Sequence, residues 1–275
     1  SPAVEYCKLL AENLPKPLET TYLVNSGTEA IEGSIKLAKR ATGRSQIIAA
    51  RKAYHGNTQG SLSIMDYELR KQPFRPLIPD VAWIEFNNEA ELQKITHRTA
   101  GVVLETIQGG AGFITPENDY LAKVKKRCEE VGALLILDEI QPGFGRTGTL
   151  FGFQNYNVVP DIIAIGKGMA SGLPCGAFVA SYELMHLLAD NPKMSHITTF
   201  GGNPVVAAAS LATLRELIST DLMAQTLEKE QLFRKLLRHP KIKAVHGKGL
   251  MLAAIMEDED LANHVILYAH EHGCI

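Results

Sequence analysis

Ala133-Leu134-Leu135-Ile136-Leu137-Asp138-Glu139-Ile140-Gln141 decides the reading of this chain: an unbroken apolar run that stops at two carboxylates. A short run of this kind, bounded by polar residues, is the pattern of a buried strand. Similar runs recur at 21–24, 46–50, 81–86, 101–105, 162–165 and 176–180. Helical patterns fall between them, at 3–13, 28–41, 89–95, 118–131, 182–189 and 204–219. Alternation of this kind predicts an α/β fold, with a mostly parallel central sheet and helices on both faces. Ligands of such sheets sit outside the carboxyl ends of the strands. Asn25, Glu105, Asp138 and Gly166 all fall at predicted strand ends.

Lys167 follows one of those ends, in Ala164-Ile165-Gly166-Lys167-Gly168-Met169. A lysine held between glycines at a strand mouth is poorly placed as a solvated surface charge. It is well placed as an amine that must reach a carbonyl carbon. Asp138 supplies a carboxylate at another strand end. A pyridoxal phosphate enzyme needs that pair. The carboxylate keeps the pyridine nitrogen protonated, and the amine carries the cofactor as a Schiff base.

The composition, 45% hydrophobic and 21% charged, is ordinary for a soluble globular protein, and it argues against other classes. At 275 residues the chain can bury a large core. A net charge of -2, with no basic stripe, argues against a nucleic-acid partner. The apolar runs are too short to span a bilayer, so no membrane association is expected, and no leader pattern opens the sequence. Cys7, Cys128, Cys175 and Cys274 are scattered and form no CxxC pair, which fits reduced thiols in a cytoplasmic compartment. No metal site is expected. The pattern changes near Asp221, where a polar helix over 221–239 precedes apolar segments at 241–245 and 250–255 and a last helix over 258–272. Two domains are therefore expected: a large one over 1–220 and part of a smaller one over 221–275.

Asn25-Ser26-Gly27-Thr28-Glu29-Ala30 joins a strand to a helix. Read plainly, Ser26 and Glu29 form a capping box. Read functionally, Gly27 lets the backbone approach an anion. The N–H groups of Gly27 and Thr28, with the hydroxyls of Ser26 and Thr28, then hold a phosphate at the helix dipole. The two readings are compatible. Tyr54 lies in a polar turn, as an ordinary loop aromatic or as a ring that stacks on a cofactor. His55 reads as a hydrogen-bonded loop histidine. Two other motifs mislead. Residues 134–139 resemble the acidic strand of a nucleotide hydrolase, but no GxxxxGK[ST] loop accompanies them. Gly143-Phe144-Gly145-Arg146-Thr147-Gly148 is a literal GxGxxG, yet Pro142 precedes it and Thr147-Gly148-Thr149 is a poor helix start.

Together these residues resemble the class III aminotransferases, in particular the acetylornithine/ornithine group. The match runs through Ser26-Gly27-Thr28-Glu29-Ala30, Tyr54-His55-Gly56, Glu105-Thr106-Ile107-Gln108-Gly109 and Asp138-Glu139-Ile140-Gln141. It continues through the 143–148 loop, Pro160-Asp161-Ile162 and Gly166-Lys167-Gly168 to Thr198-Thr199-Phe200-Gly201-Gly202-Asn203-Pro204. The resemblance implies a fold-type I pyridoxal phosphate enzyme, a homodimer with its active sites at the interface. It implies that Lys167 bonds the cofactor and shuttles the proton, and that Asp138 pairs with the pyridine nitrogen. Gln141 would donate to the phenolic oxygen, and Tyr54 would stack on the ring. Gly27 and Thr28 would hold the phosphate, with Ser26 close by. Thr199 would reach the phosphate bound in the partner subunit. Glu105 would face the substrate, where it pairs with a mobile arginine in this family.

The departures fall on the substrate side. Thr106 stands where the family has proline, Gly110 where it has a second acid, and Pro142 where a small hydroxyl residue or cysteine is commoner. The resemblance also implies an N-terminal segment that closes the pocket and a fuller C-terminal domain with a carboxylate-gripping arginine. The chain is thus expected to be a core fragment of a longer enzyme. The expected reaction moves an amino group from an amino-acid donor, with an ω-amine such as ornithine or acetylornithine, to a 2-oxo acid. The alternatives are an aminomutase or an amine–pyruvate transaminase on the same fold, or a cofactor-binding fragment without turnover.

Overall fold

The computed structural model of the chain describes residues 1–274. Helix α1 (Pro2–Glu12) leads to β1 (Thr20–Val24), α2 (Gly27–Thr42) and β2 (Gln46–Ala50). Two short helices, α3 (Gln59–Ile64) and α4 (Glu68–Lys71), precede β3 (Val81–Ile84) and β4 (Thr99–Glu105). Then come α5 (Tyr120–Val131), β5 (Leu134–Asp138), β6 (Ile162–Ile165), β7 (Gly176–Ala180) and α6 (Tyr182–His186). The chain continues through α7 (Pro204–Ser219), α8 (Leu222–Leu236), β8 (Ile242–Lys248), β9 (Met251–Met256) and α9 (Glu259–Glu271). No helix of the described residues is long and apolar enough to cross a membrane.

The seven-stranded sheet has the order β1-β7-β6-β5-β4-β2-β3. β7 runs antiparallel to both of its neighbours. The remaining pairs are parallel. Residues in each strand alternate between two cores, because successive side chains point to opposite faces. Ile47, Ala49, Val103, Ile136 and Ile162 pack under α2 with Ile31, Ile35 and Ala38. Ile48, Val102, Leu135, Leu137 and Ile163 pack with Tyr6, Tyr120, Val124 and Leu214 of α1, α5 and α7. This two-sided burial is why the strands read as continuous apolar runs. α2 lies close to the sheet, since a Cβ at Gly33 would come 2.3 Å from the Phe178 ring.

Register fixes what meets at the carboxyl edge. Glu105 sits beside Asp138, and Asp138 beside Ala164, three residues before Lys167. The carboxylates and the lysine therefore arrive at one end of three adjacent strands.

The expected elements differ from the structure mainly at their ends. Asn118 and Asp119 have φ of 49° and 56°, so α5 starts at Tyr120 rather than at 118. Residues 89–95, expected as a helix, form a 3-10 helix over Glu89–Lys94, where Asn88 accepts from the N–H of Ala90. The helices α3 and α4 were not anticipated. α3, Gln-Gly-Ser-Leu-Ser-Ile, is buried from Gly60 to Ile64 and shows no amphipathic period.

β8 and β9 form a separate antiparallel pair. The 143–148 loop receives them. The Thr226 hydroxyl donates to the Gly145 carbonyl at 3.2 Å, and the Leu250 N–H to that of Arg146 at 2.8 Å. Gly148 has φ of +90°, and a Cβ there would lie 2.7 Å from Leu227. The apparent nucleotide fingerprint is thus a glycine seam that lets α8 approach.

Candidate active site

A cavity of about 530 Å³ opens at the carboxyl ends of β4, β5 and β6. Gly27, Thr28, Tyr54, Glu105, Asp138, Gln141 and Lys167 all line it. Ser26 and Thr199 do not. Ser26 accepts from the N–H of Glu29 at 3.3 Å and so caps α2. The expected capping box is only half formed. The Glu29 carboxylate passes Ser26 and accepts from the N–H of Asn25 at 2.6 Å and from its side-chain amide at 2.9 Å. Thr199 is exposed and lines a different concavity with Asn25, Glu29 and His196. A single chain therefore does not bring it to Lys167.

The cradle at the start of α2 is closed by glycines. A Cβ at Gly27 would meet the Ile140 side chain at 2.8 Å, and one at Gly176 would meet the Ser26 carbonyl oxygen at 2.3 Å. That oxygen is backbone and cannot swing aside. Three chain segments thus converge on the free N–H groups of the first turn of α2, where an anion is favoured.

Lys167 follows the extended Gly166 and has φ of +44°. This is the left-handed region, which a lysine occupies only when its surroundings impose it. Lys167 is exposed, in contrast to the sequence expectation of a charge withdrawn from solvent. The cavity is open above it, so the amine meets water through the same mouth by which a ligand enters.

Asp138 is buried, and each oxygen is held. Oδ1 accepts from the N–H of Ile140 at 3.0 Å. Oδ2 accepts from Nδ1 of His55 at 2.8 Å. His55 is itself buried, although a polar turn was expected to hold it. Burial pushes its pKa down, but the hydrogen bond and charge of Asp138, with the charge of Glu105, outweigh this and raise it. The partnership links residues 83 positions apart, and no local pattern reveals it.

Glu105 accepts from the N–H groups of Tyr54 at 3.2 Å and Gly109 at 3.0 Å. Burial raises its pKa to about 7, with the Asp138 charge adding and the His55 charge opposing. Gln141 packs on Gly109, where a Cβ would lie 2.6 Å from its Oε1. Tyr54 is 40% exposed and lines the cavity.

Glu139, to which the sequence reading gives no role of its own, is fully buried. It accepts from the Thr106 hydroxyl at 2.5 Å and from the N–H groups of Gly152 and Phe153 at 2.7 Å each. Thr106 thus serves a buried carboxylate that a proline could not reach with a donor. Burial pushes Glu139 up to about 7 against those bonds. The sign of the pH dependence follows from the raised pKa. Between the ordinary glutamate value and about 7, the folded chain keeps a proton that the unfolded chain has lost. Stability should therefore fall as pH rises through that window, by on the order of 3 kcal/mol for this group. Thermal midpoints from about pH 5 to about pH 8 should slope less in Glu139→Gln than in the parent. An unchanged slope would mean that Glu139 is ionised throughout.

The sequence profile of the family described as "Aminotransferase class-III" matches residues 1–275. This chain belongs to the class III aminotransferases. The [LysW]-aminoadipate semialdehyde/glutamate semialdehyde transaminase of Sulfurisphaera tokodaii is 36% identical over 253 residues, 90% of this chain and 65% of the relative. That of Sulfolobus acidocaldarius is 36% identical over 276 residues, covering 98% of this chain and 70% of the relative. The solved ornithine aminotransferase of Toxoplasma gondii superposes with a TM-score of 0.90 at 28% identity. It covers 98% of this chain and 67% of that one, and its active site holds pyridoxal phosphate at partial occupancy. The chain thus spans about two thirds of its relatives' length.

Class III aminotransferases are pyridoxal phosphate-dependent, fold-type I proteins, and the residues here fit that cofactor. The cavity lies within the roughly 300–1,000 Å³ typical of small-molecule sites. One end is a glycine-walled anion cradle, the floor is a buried carboxylate, and a lysine amine stands at the mouth.

Proposed function

We propose that this chain is the core of a transaminase that moves an amino group from an amino-acid donor to a 2-oxo acid. The meeting of Lys167 and Asp138 in one cavity carries this reading. When bound, pyridoxal phosphate supplies an aldehyde carbon and an electron-withdrawing ring. Lys167 is the amine that holds it, and the base that moves the donor's Cα proton. Asp138 keeps the proton on the ring nitrogen, and His55 fixes the carboxylate from behind. Gly27 and Thr28 bind the phosphate with backbone N–H groups, with Ser26 capping the same turn. Gln141 would donate to the phenolic oxygen, and Tyr54 would cover the ring face. Glu105 faces the substrate, where its raised pKa lets it gain or lose a charge near neutral pH.

We read the donor as an ω-amine of the ornithine or acetylornithine type. Oxidation of such an amine gives a semialdehyde, the substrate class for which the archaeal relatives are named. We read the assembly as a homodimer. Ile197, Phe200 and Val205 around Thr199 are apolar and at least 66% exposed, which supports burial against a second copy. Thr199 would then complete the partner's phosphate site. We divide the chain at 220, since the β8–β9 sheet stands apart from the seven-stranded one, and place 221–275 in a smaller domain. Free cysteines at all four positions favour a cytoplasmic location.

The test is a spectral half-reaction. Pyridoxal phosphate should give the protein a visible absorbance band. Ornithine or acetylornithine should bleach it, and a 2-oxo acid should restore it. A band that no amino donor changes would overturn the reading. Thr199→Ala should weaken cofactor binding in the dimer. Mixed with Lys167→Ala chains, it should leave one competent site per heterodimer at most. Cofactor affinity independent of Thr199 and of protein concentration would rule out shared sites.

A further inference from the structure

α2 carries a second carboxylate, Glu32, one turn after Thr28 and on the same face. An acid there lies against the charge of any anion held at the helix start, so its presence calls for a cause. Its Oε1 accepts from the hydroxyl of Thr58 at 2.5 Å and from the N–H groups of Gly60 at 2.7 Å and Ser61 at 3.1 Å. Gly60 is shaped to this contact, since a Cβ there would lie 2.1 Å from Glu32 Oε2. The turn so gathered closes on Thr28. The Thr28 hydroxyl lies 2.7 Å from those of both Thr58 and Ser61. Gly56, at φ of +127°, presses from a further side, and a Cβ there would lie 2.4 Å from Thr28 Oγ1.

The donors order this network. A carboxylate only accepts, so Thr58 gives its single hydroxyl proton to Glu32. The Thr58 oxygen then accepts the single Thr28 hydroxyl proton, so Thr28 offers an anion its backbone N–H and not, as the sequence suggests, its hydroxyl. Glu32 thereby sets the direction of the chain of hydroxyls that ends beside the anion cradle.

We propose that Glu32 is a positioning residue for the phosphate end of the site: it ties down the Thr58–Gly60–Ser61 turn, and the turn holds Thr28 in the one orientation that completes the cradle. This rests on the reading of the cavity as a pyridoxal phosphate site. Glu32 does not touch the ligand. Its effect is confined to the end of the cofactor that carries the phosphate.

The test compares pyridoxal phosphate with pyridoxal, which lacks the phosphate, as ligands of the whole chain at one protein concentration. Dissociation constants are read from absorbance titrations. Glu32→Ala should weaken pyridoxal phosphate by about 10-fold or more, as loss of hydrogen bonds to a charged group does, and pyridoxal little. Glu32→Gln, which keeps an acceptor oxygen, should recover most of the loss. In a Thr28→Ala background, Glu32→Ala should add nothing. Equal weakening of both ligands, an additive double variant, or tighter phosphate binding in Glu32→Ala would overturn the proposal. If Glu32→Ala does not fold, Thr58→Val removes the middle hydroxyl and must show the same selectivity. A parent chain that binds pyridoxal but not its phosphate refutes the cradle itself. One that binds neither refutes the functional reading. Normal binding by parent and Glu32→Ala alike refutes this inference alone.

Discussion

Lys167→Ala should lower transamination by at least about 10³-fold, since positioned proton transfer alone contributes about 10²–10⁴ and the covalent hold on the cofactor is lost with it. The visible absorbance of the loaded protein should vanish in the same variant. In the parent, borohydride should fix the mass of the cofactor on the peptide that contains Lys167. The left-handed backbone at this position adds a second readout. Replacing Lys167 with glycine should relieve strain and raise the thermal midpoint of the cofactor-free protein, even as activity disappears. Cofactor fixed on another lysine, with Lys167 unmodified, would sink the assignment.

Asp138→Asn should slow proton abstraction by about one to two orders of magnitude while still allowing the cofactor to bind. A charge-assisted bond to the ring nitrogen accounts for roughly 1.5–3 kcal/mol, or about 10- to 100-fold in rate. The surroundings sharpen the effect. The two carboxylate oxygens accept from the Ile140 N–H and from His55 Nδ1. An asparagine amide offers only one acceptor oxygen, so its NH₂ must face one of these donors. Single-turnover rates with a saturating amino donor, measured for parent and variant, decide the matter. Equal rates would make Asp138 a structural residue.

Most of the fold was legible because two-sided burial leaves a coarse signal. The runs ending at Asp138 and Ile165 are apolar on both faces, and no other pattern explains them. The lysine and the acid were legible because strand ends are where such sheets bind ligands. What escaped was long-range pairing. His55 meets Asp138, Thr106 meets Glu139, and Thr28 meets Ser61, each across more than 30 residues. A hydrogen bond between distant residues imposes no period on the sequence. Exposure was misjudged at both His55 and Lys167, because a loop's depth depends on what packs above it. The GxGxxG at 143–148 carried a real glycine requirement, but its source is contact with Leu227 and neighbouring residues rather than a nucleotide.

That glycine seam has a mechanical consequence. The Arg146 side chain donates to the Gln141 carbonyl at 2.8 Å, and its own carbonyl accepts from Leu250. One short lever thus joins the cavity wall to the hairpin at the far end of the chain. Backbone contact holds the hairpin end of the lever, where a Cβ at Gly249 would lie 2.3 Å from the Arg146 carbonyl oxygen, and the Arg146 side chain holds the cavity end. A shift of Leu250 would be passed through the single residue Arg146 to the Gln141 backbone, so the position of the hairpin turn and that wall of the cavity are coupled.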